Sequence, residues 1–304
     1  MHPRGHITLI GAGNLARALG PALKAAGYQI DAVAGRKLRA SRRRALALAR
    51  KLKTKAVALE ELEIVSEIVW LCQTDDALAE TARRLARREG WKGKIVFHSS
   101  GALTSEVLSP LTRAGAIAAS LHPMMTFVPG STPSMEGVPF AVEGDRQAIL
   151  VARQIARALK ADIFEIKKRA KVLYHALGSF SSPMLVATLV TAERVGRAAG
   201  LSQKQLQKIM APILRQTLHN YLMGGAAAAF SGPVKRGDVN TIRGHLQHLD
   251  KVPGANEVYR ALIKSALKDL PSKNKEALTS LLKETGDNVR IVLPIRTHLA
   301  TEGM

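Results

Sequence analysis

A glycine-rich turn near the N-terminus has the residue types and spacing of a dinucleotide site. The apolar residues 7–10 are followed by a G-x-G-x-x-A pattern, which comprises Gly11, Ala12, Gly13, Asn14, Leu15 and Ala16. Gly11 permits a tight turn, Gly13 lets the backbone approach a pyrophosphate, and Ala16 lets the next helix pack close to the sheet. The N-terminus of that helix faces the anion. The pattern predicts dinucleotide binding at residues 11–15, with a purely structural turn as the alternative.

The end of the next predicted strand, residues 29–34, favours NADP(H) over NAD(H). An NAD site uses a carboxylate for the ribose hydroxyls, and Asp31 has the usual separation from Gly11. The predicted strand continues beyond Asp31, which sets it back from the tip by about 10 Å. Gly35 and Arg36 occupy the tip, and guanidinium groups suit a 2′-phosphate. We therefore expect NADP(H) to lie beside Gly35 and Arg36.

Polar residues follow two further predicted strands, at the edge where a Rossmann ligand binds. Gln73, Thr74 and Asp75 follow strand 68–72 and are expected to line the ribose and nicotinamide. The other group follows strand 95–98 and comprises Ser99, Ser100 and Gly101. Its two serine hydroxyls are expected to donate hydrogen bonds to the carboxamide or the substrate. Capping of the following helix by Asp75 or Asp76 is the alternative for those carboxylates.

His122 and His175 are the candidate proton donors. Hydride reduction of a C=O or C=N bond needs a proton or a positive field at the heteroatom. An imidazole titrates near neutral pH, and His122 follows a predicted strand near the cleft. The alternatives are a structural bond to the turn at Pro123 for His122, and a core or interface role for His175. His98, which ends a strand, is expected to be a packing residue.

Arg236 and Asp238 lie in a loop punctuated by glycine and proline. Such a pair could clamp an anionic substrate or form a structural ion pair, and both interpretations remain open.

Short apolar strands alternate with helical segments in the first half of the chain. The predicted strands are residues 6–10, 29–34, 68–72, 95–98, 117–121, 139–142 and 161–166. This alternation predicts a parallel sheet covered on both faces. Longer helical segments follow, at 172–199, 203–221, 256–267 and 273–284. The predicted fold is α/β: a Rossmann parallel sheet (dinucleotide-binding domain 1–167) followed by an all-α C-terminal domain (168–304).

Composition limits the remaining possibilities. The chain has 304 residues and a single cysteine, Cys72, so a disulfide within the chain is excluded and a reducing, cytoplasmic location is expected. Segment 176–192 favours a core helix over a membrane span. The net charge of +21 allows nucleic-acid binding, but aromatic residues make up only 4% of the chain, so this is the weaker interpretation. Cysteine and histidine spacing indicates no metal site.

Four phrases carry a family resemblance. Residues 98–102 (HSSGA), 120–127 (SLHPMMTF), 174–176 (YHA) and 231–238 (SGPVKRGD) resemble signatures of Rossmann-like and DUF2520 domain-containing proteins. That group is similar to F420-dependent NADP oxidoreductases, pyrroline-5-carboxylate reductases and 6-phosphogluconate-dehydrogenase-like enzymes. The resemblance implies a pyridine nucleotide and a helical C-terminal domain that often dimerises.

One departure from the family pattern bears on activity. Pro183 stands where the group usually has an asparagine, so an amide that could orient a substrate is absent. A catalytic lysine signature is also not recognised. The leading hypothesis is an NADP(H)-dependent oxidoreductase acting on a small, anionic carbonyl or imine compound. The alternative is a catalytically inactive NADP-binding or NADP-sensing protein.

Overall fold

The structure is a computed structural model that describes residues 4–284. The chain divides into two compact units after Pro183. The predicted domain boundary at 167/168 stays a prediction, and residues 285–304 of the predicted second domain lie outside the described part.

The first unit is built on one eight-stranded sheet. The strands are β1 (His6–Ile10), β2 (Gln29–Gly35), β3 (Lys55–Ala58), β4 (Ile68–Leu71), β5 (Ile95–His98), β6 (Ile117–Pro123), β7 (Pro139–Gly144) and β8 (Asp162–Glu165). Their order in the sheet is β3-β2-β1-β4-β5-β6-β7-β8. The predicted Rossmann sheet is confirmed as mostly parallel. It departs from the expectation in one pairing, because β7 runs antiparallel to β6.

Helices cover both faces of this sheet. They are α1 (Asn14–Ala25), α2 (Arg39–Leu52), α3 (Asp75–Leu85), α4 (Ser109–Arg113) and α5 (Arg146–Ala158). The last helix of the unit, α6 (Lys171–Ser181), buries only Lys171. Alternate residues of a strand point to opposite faces, so Trp70 packs in one core cluster while Val69 and Leu71 pack in the other. The first cluster includes side chains of α1, α2 and α5, and the second includes those of α3 and α4. This double burial explains why the central strands read as continuous apolar runs.

The second unit is helical, as expected. Its helices are α7 (which begins at the boundary, Pro183–Ala198), α8 (Gln203–Ala229), α9 (Pro233–Arg236), α10 (Val239–Leu249), α11 (Ala255–Asp269) and α12 (Lys275–Glu284). Ile242, Leu246, Ile263 and Leu278 form the centre of a small core between α10, α11 and α12. The single helix predicted over 172–199 is broken at Ser182, whose φ of −132° and ψ of −81° are not helical. Proline at position 183 disfavours helical backbone at the preceding residue.

The apolar stretch at 168–198 is more exposed than the sequence suggested. In length and composition it could cross a membrane, but these two criteria alone are weak support for a span. None of its most apolar window is buried within the described chain, so the predicted core helix over 176–192 is wrong for a single chain. The physical reason is that α6 and α7 carry apolar side chains, including Leu173, Phe180 and Val186, that residues 4–284 leave exposed.

Candidate functional site

The glycine turn leaves an open cradle at the start of α1. Gly11 has a φ of 102°, and a Cβ there would lie 2.6 Å from the carbonyl oxygen of Cys72, so the fold itself requires glycine. Gly13 has an ordinary φ of −75°, and a Cβ there would meet no atom within 4 Å. The fold therefore does not require glycine at position 13, whereas a ligand lying close to the backbone would require it. No side chain caps α1, so its first N–H groups remain available to an anion.

The other predicted residues of the turn are held by the chain. Ala12 is buried and Leu15 packs against the core of the sheet. The Asn14 side-chain amide donates to the carbonyl oxygen of Phe127 at 3.0 Å. Asn14 thereby ties the start of α1 to the segment that follows β6.

The end of β2 separates Asp31 from the candidate adenosine site. The Asp31 carboxylate accepts from the Ser66 hydroxyl at 2.7 Å and lies 2.8 Å from Nδ1 of His6. The strand continues past Asp31, as expected, and ends at Gly35, one residue beyond the predicted end, so Asp31 is set back and already has partners. Gly35 and Arg36 border a cavity of about 440 Å³ that is also lined by Lys37 and Arg42. Lys37 is paired with Glu61, whereas Arg36 and Arg42 have no ion pair among the described residues.

The loop after β4 carries an unpaired polar atom. Oε1 of Gln73 is buried and has no hydrogen-bond partner in the described part of the chain. The Gln73 side chain lies beside Gly11, because a Cβ on Gly11 would be 3.2 Å from its Cγ. A buried acceptor of this kind calls for a donor from a ligand or water. Thr74 is the N-cap of α3 and Asp75 its first residue, so capping by Asp75 or Asp76 is wrong.

The serines that follow β5 hold their own loop. The Ser99 hydroxyl accepts from Nε1 of Trp70 at 2.8 Å and donates to the Leu121 carbonyl at 3.0 Å. The Ser100 hydroxyl accepts from the backbone N–H groups of Ala102 and Leu103. The Ser99 hydroxyl is therefore engaged, and the expected donation to a carboxamide or substrate stays a prediction. The surroundings of both serines favour a role in shaping the loop.

Gly101 lies between the two candidate histidines. A Cβ at this position would come within 2.8 Å of Nε2 of His122 and 2.5 Å of Cδ2 of His175. The two imidazole rings are 6.1 Å apart and nearly perpendicular. Nδ1 of His122 lies 3.0 Å from the hydroxyl of Tyr174, the residue next to His175 in α6. The structure thus brings Gly101, His122 and His175 together, and adds Tyr174.

The His122–Tyr174 pair is neutral at physiological pH. Burial, helped by the positive Lys171 and by His175, lowers the pKa of His122 to about 4. Burial raises the pKa of Tyr174 to about 12. The pKa that the fold gives His122 therefore differs from the expectation that this residue titrates near neutral pH. At pH 7 the pair consists of an imidazole and a protonated phenol.

A cavity of about 330 Å³ opens beside these rings. Its lining comprises His122, Met124, Met125, Thr126, His175, Gly178, Ser179, Ser181, Ser182 and Pro183. The described lining contains no lysine, arginine or carboxylate. Its shape and composition suit a small, largely uncharged group.

Two family models cover most of the chain. A model described as a Rossmann-like domain matches residues 1–123, and one described as a domain of unknown function (DUF2520) matches residues 138–266. The chain is a Rossmann-like and DUF2520 domain protein. The resemblance inferred from the four phrases is confirmed.

Solved structures share the fold of this DUF2520 protein at low identity. A Bacteroides fragilis protein, provisionally assigned as an NADP oxidoreductase, is 23% identical with a TM-score of 0.73, covering 86% of this chain and 97% of its own. Protein TM1727 from Thermotoga maritima is 24% identical with a TM-score of 0.65, covering 91% and 98%. An imine reductase from Myxococcus stipitatus in complex with NADP⁺ is 17% identical with a TM-score of 0.62, covering 92% and 99%. No curated protein matches the chain. At these identities the likeness shows the fold alone.

The DUF2520 protein also buries an ion pair that sequence reasoning missed. Nζ of Lys171 lies 3.6 Å from Oε1 of Glu143, and the two side chains are only 2% and 4% exposed. In the sequence Lys171 ends a basic run that starts at Lys167. The available signal was its spacing from His175, because residues four apart lie on the same face of a helix.

Arg236 and Asp238 lie in the second unit. The Arg236 guanidinium binds the Asp238 carboxylate, with Nη2 and Oδ2 2.7 Å apart. This contact favours the ion-pair interpretation, and anion binding by Arg236 stays a prediction. Among residues 4–284 no group of three histidine, cysteine or acidic side chains could hold a metal ion.

Proposed function

We propose that this protein is an NADP(H)-dependent oxidoreductase that transfers hydride to or from a small carbonyl or imine compound. The observation that carries the proposal is the position of the His122–Tyr174 pair relative to the open turn at Gly13. Both lie at the carboxyl edge of one sheet, where Ile10, Leu71, His98 and Ser120 are in register. Three strand spacings separate β1 from β6, about 14 Å. A dinucleotide starting at α1 could therefore extend towards the two histidines.

The residues present fit a bound NADP(H). The backbone of residues 11–15 would hold the pyrophosphate, and Arg36 with Arg42 would bind the 2′-phosphate. Gln73 would receive a hydrogen bond from the nicotinamide end, which would satisfy its buried oxygen. The bound cofactor supplies or accepts the hydride. Because a variant of the Myxococcus stipitatus imine reductase binds NAD⁺ on the same fold, the preference for NADP(H) rests on the arginines of this chain.

The chain's own residues would supply the proton. Reduction leaves negative charge on the substrate oxygen or nitrogen, and Nε2–H of His122 could donate to that atom. The Tyr174 hydroxyl would then pass its proton to Nδ1 of His122 and would regain a proton from solvent. A neutral imidazole is a weak acid, so this relay is what allows His122 to act at pH 7. The reverse sequence serves oxidation.

The cavity refines the expected substrate. Its described lining offers methionine, hydroxyl and imidazole groups but no cationic side chain. A carbonyl or imine compound with an apolar body suits these groups. The anionic character expected from the sequence depends on Arg236 and has no support from this cavity.

A catalytically inactive NADP-binding protein is the second candidate. Pro183 lines the cavity at the position where the family pattern has an amide. The two functions are separated by incubating the protein and NADPH with a panel of carbonyl and imine compounds and following the NADPH absorbance. Turnover with any compound supports the enzyme; saturable NADPH binding without turnover across both classes supports the sensor.

Replacing Gly13 by valine should weaken NADPH binding without unfolding the protein. A Cβ at position 13 meets no atom of the described chain within 4 Å, but the larger valine side chain would occupy the cradle, so a charge-assisted hydrogen bond would be lost. At about 1.5–3 kcal/mol for that bond, the dissociation constant should rise about 10–100-fold. Calorimetry with NADPH and NADH measures this, and the wild-type protein should prefer NADPH.

Gly244→Val is the matched control for this prediction. Gly244 in α10 also has open space where a Cβ would lie, so its replacement should leave NADPH affinity unchanged. Equal affinity of wild type and Gly13→Val would contradict the proposed cofactor site.

We further propose that the protein is a cytoplasmic homodimer assembled through its helical segments. In α8 the side chains of Ile213, Leu222 and Met223 are 62%, 77% and 76% exposed. Large apolar side chains left exposed in this number on one helix favour an interaction site. Replacing Leu222 by aspartate should shift the mass measured by light scattering from dimer to monomer. Lys208→Asp on the same helix should leave it unchanged, and a wild-type monomer would exclude the dimer.

A further inference from the structure

The buried pair of Lys171 and Glu143 connects three elements of the first unit. The Lys171 ammonium donates to the Ser100 carbonyl at 3.0 Å and to the Ser120 hydroxyl of β6. Glu143 of β7 accepts from both the backbone N–H and the hydroxyl of Ser105, each at 2.7 Å. A buried ion pair persists only where its remaining hydrogen-bonding groups are satisfied, as they are here.

The loop gripped by this pair is the one that carries Gly101. At one end, Nδ1 of His98 accepts from the Ser100 N–H, which requires the proton on Nε2, where His98 contacts the Thr104 carbonyl at 3.2 Å. At the other end, Ser105 is bound to Glu143. His98 therefore links two backbone positions of the loop, and the ion pair binds the loop to β7 and α6.

The same ammonium fixes the start of α6. Lys171 is the first residue of this helix, and His175 lies one turn later on the same face. Tyr174, which bonds His122, lies in that turn as well. An anchor at Lys171 therefore sets the positions of both α6 side chains relative to β6 and to Gly101.

We propose that Lys171 is a positioning residue whose buried ammonium, paired with Glu143, holds the 99–105 loop and the first turn of α6 so that His122, Tyr174 and His175 converge at Gly101. Lys171 does not touch the substrate, because its side chain is 2% exposed and its donors are directed to chain partners. The effect on turnover rests on the proposed oxidoreductase function, whereas the effect on His122 does not.

The charge of Lys171 also acts on its neighbours. The titratable groups around it are Glu143 on β7, Asp75 at the start of α3, His98 on β5 and His122 on β6. The two carboxylates raise the pKa of Lys171, while burial lowers it to about 8. The ammonium in turn lowers the pKa of both histidines. Loss of this charge should therefore raise the pKa of His122.

The test is an NMR titration of His122 in the full-length protein without cofactor. Lys171→Met combined with Glu143→Gln removes both charges and leaves no buried charge unpaired, and its His122 midpoint should move upward from about 4 towards the ordinary value. Glu143→Gln alone keeps the shape and acceptors of the site, so it should fold even if the double variant does not. The pKa of Lys171 is about 8 and that of His122 about 4, so Lys171 keeps its proton at the His122 midpoint of this variant and the midpoint should stay low. Lys168→Met removes an exposed lysine paired with Glu106 and should shift nothing.

Turnover separates positioning from direct catalysis. In the double variant kcat should fall at least 10-fold with KM little changed, and added methylamine should not restore the activity of Lys171→Ala. Restoration by methylamine would overturn the proposal, because it would mean that an amine acts on the substrate. A His122 midpoint in the double variant equal to that of wild type would overturn it too, and if the double variant does not fold, a kcat in Glu143→Gln equal to that of wild type would do so. A shifted midpoint in a protein without NADPH turnover would support the positioning role and refute the oxidoreductase function instead.

Discussion

Replacing Gly101 by alanine is expected to lower NADPH-dependent turnover about 100-fold. The new methyl carbon would lie 2.5 Å from the His175 ring and 2.8 Å from Nε2 of His122, so one ring has to move. The His122 ring is held by Tyr174, so the exposed His175 side chain has to turn away from it, which separates the two rings. A displacement of about 1 Å at a reacting group can cost about 100-fold in rate. Steady-state kinetics measures the loss, and overpacking should cost about 1–3 kcal/mol of unfolding free energy.

Gly178→Ala is the informative comparison for Gly101→Ala. A Cβ on Gly178 would lie 2.6 Å from Sδ of Met124, a clash of similar size in the same cavity. A methionine side chain is flexible and can turn aside, so the rate should fall much less than in Gly101→Ala. Equal losses in both variants would mean that the rate follows cavity volume and not the placement of the two imidazoles.

The fold was largely predictable because its signals are local. The G-x-G-x-x-A turn and the apolar runs predicted β1, β2, β4, β5 and β6 to within one or two residues at each end. The missed strand, β3 at Lys55–Ala58, is short and begins with a lysine at the edge of the sheet. Edge strands are half-exposed and lack the apolar run on which the prediction relied. The strand β7 was predicted, but its antiparallel direction was not, because strand direction depends on the path of the chain and short apolar runs carry no information about that path.

The candidate site was only partly predictable, because its key contacts join distant positions. His122 and His175 were found from their residue type and from the resemblance. Their convergence at Gly101 is a tertiary contact that no spacing in the sequence encodes. Lys171 and Glu143 were missed for the same reason, since a buried charge is recognised only by its partner. The depressed pKa of His122 is likewise set by burial and by that distant lysine.

Replacing Tyr174 by phenylalanine, or His122 by glutamine, is expected to lower kcat for reduction by about 10²–10⁴-fold, the usual contribution of a positioned proton donor. The two residues act as one relay, so the double variant should be little slower than the slower single variant. The second unit contains a matched pair, in which Nδ1 of His245 lies 2.8 Å from the Tyr259 hydroxyl. Tyr259→Phe should leave kcat unchanged.

The pH dependence of the wild-type enzyme distinguishes this relay from an ordinary imidazolium acid. With a pKa of about 4, His122 is neutral from pH 5 upward, so the rate should show no inflection near 6.5 from this residue. Oxidation requires His122 to accept a proton at Nε2, so the oxidative rate should fall as the pH drops through about 4. An inflection near pH 6.5 that disappears in His122→Gln would mean that His122 acts as an imidazolium acid, without a proton from Tyr174. Additive losses in the double variant would likewise show that Tyr174 and His122 act separately.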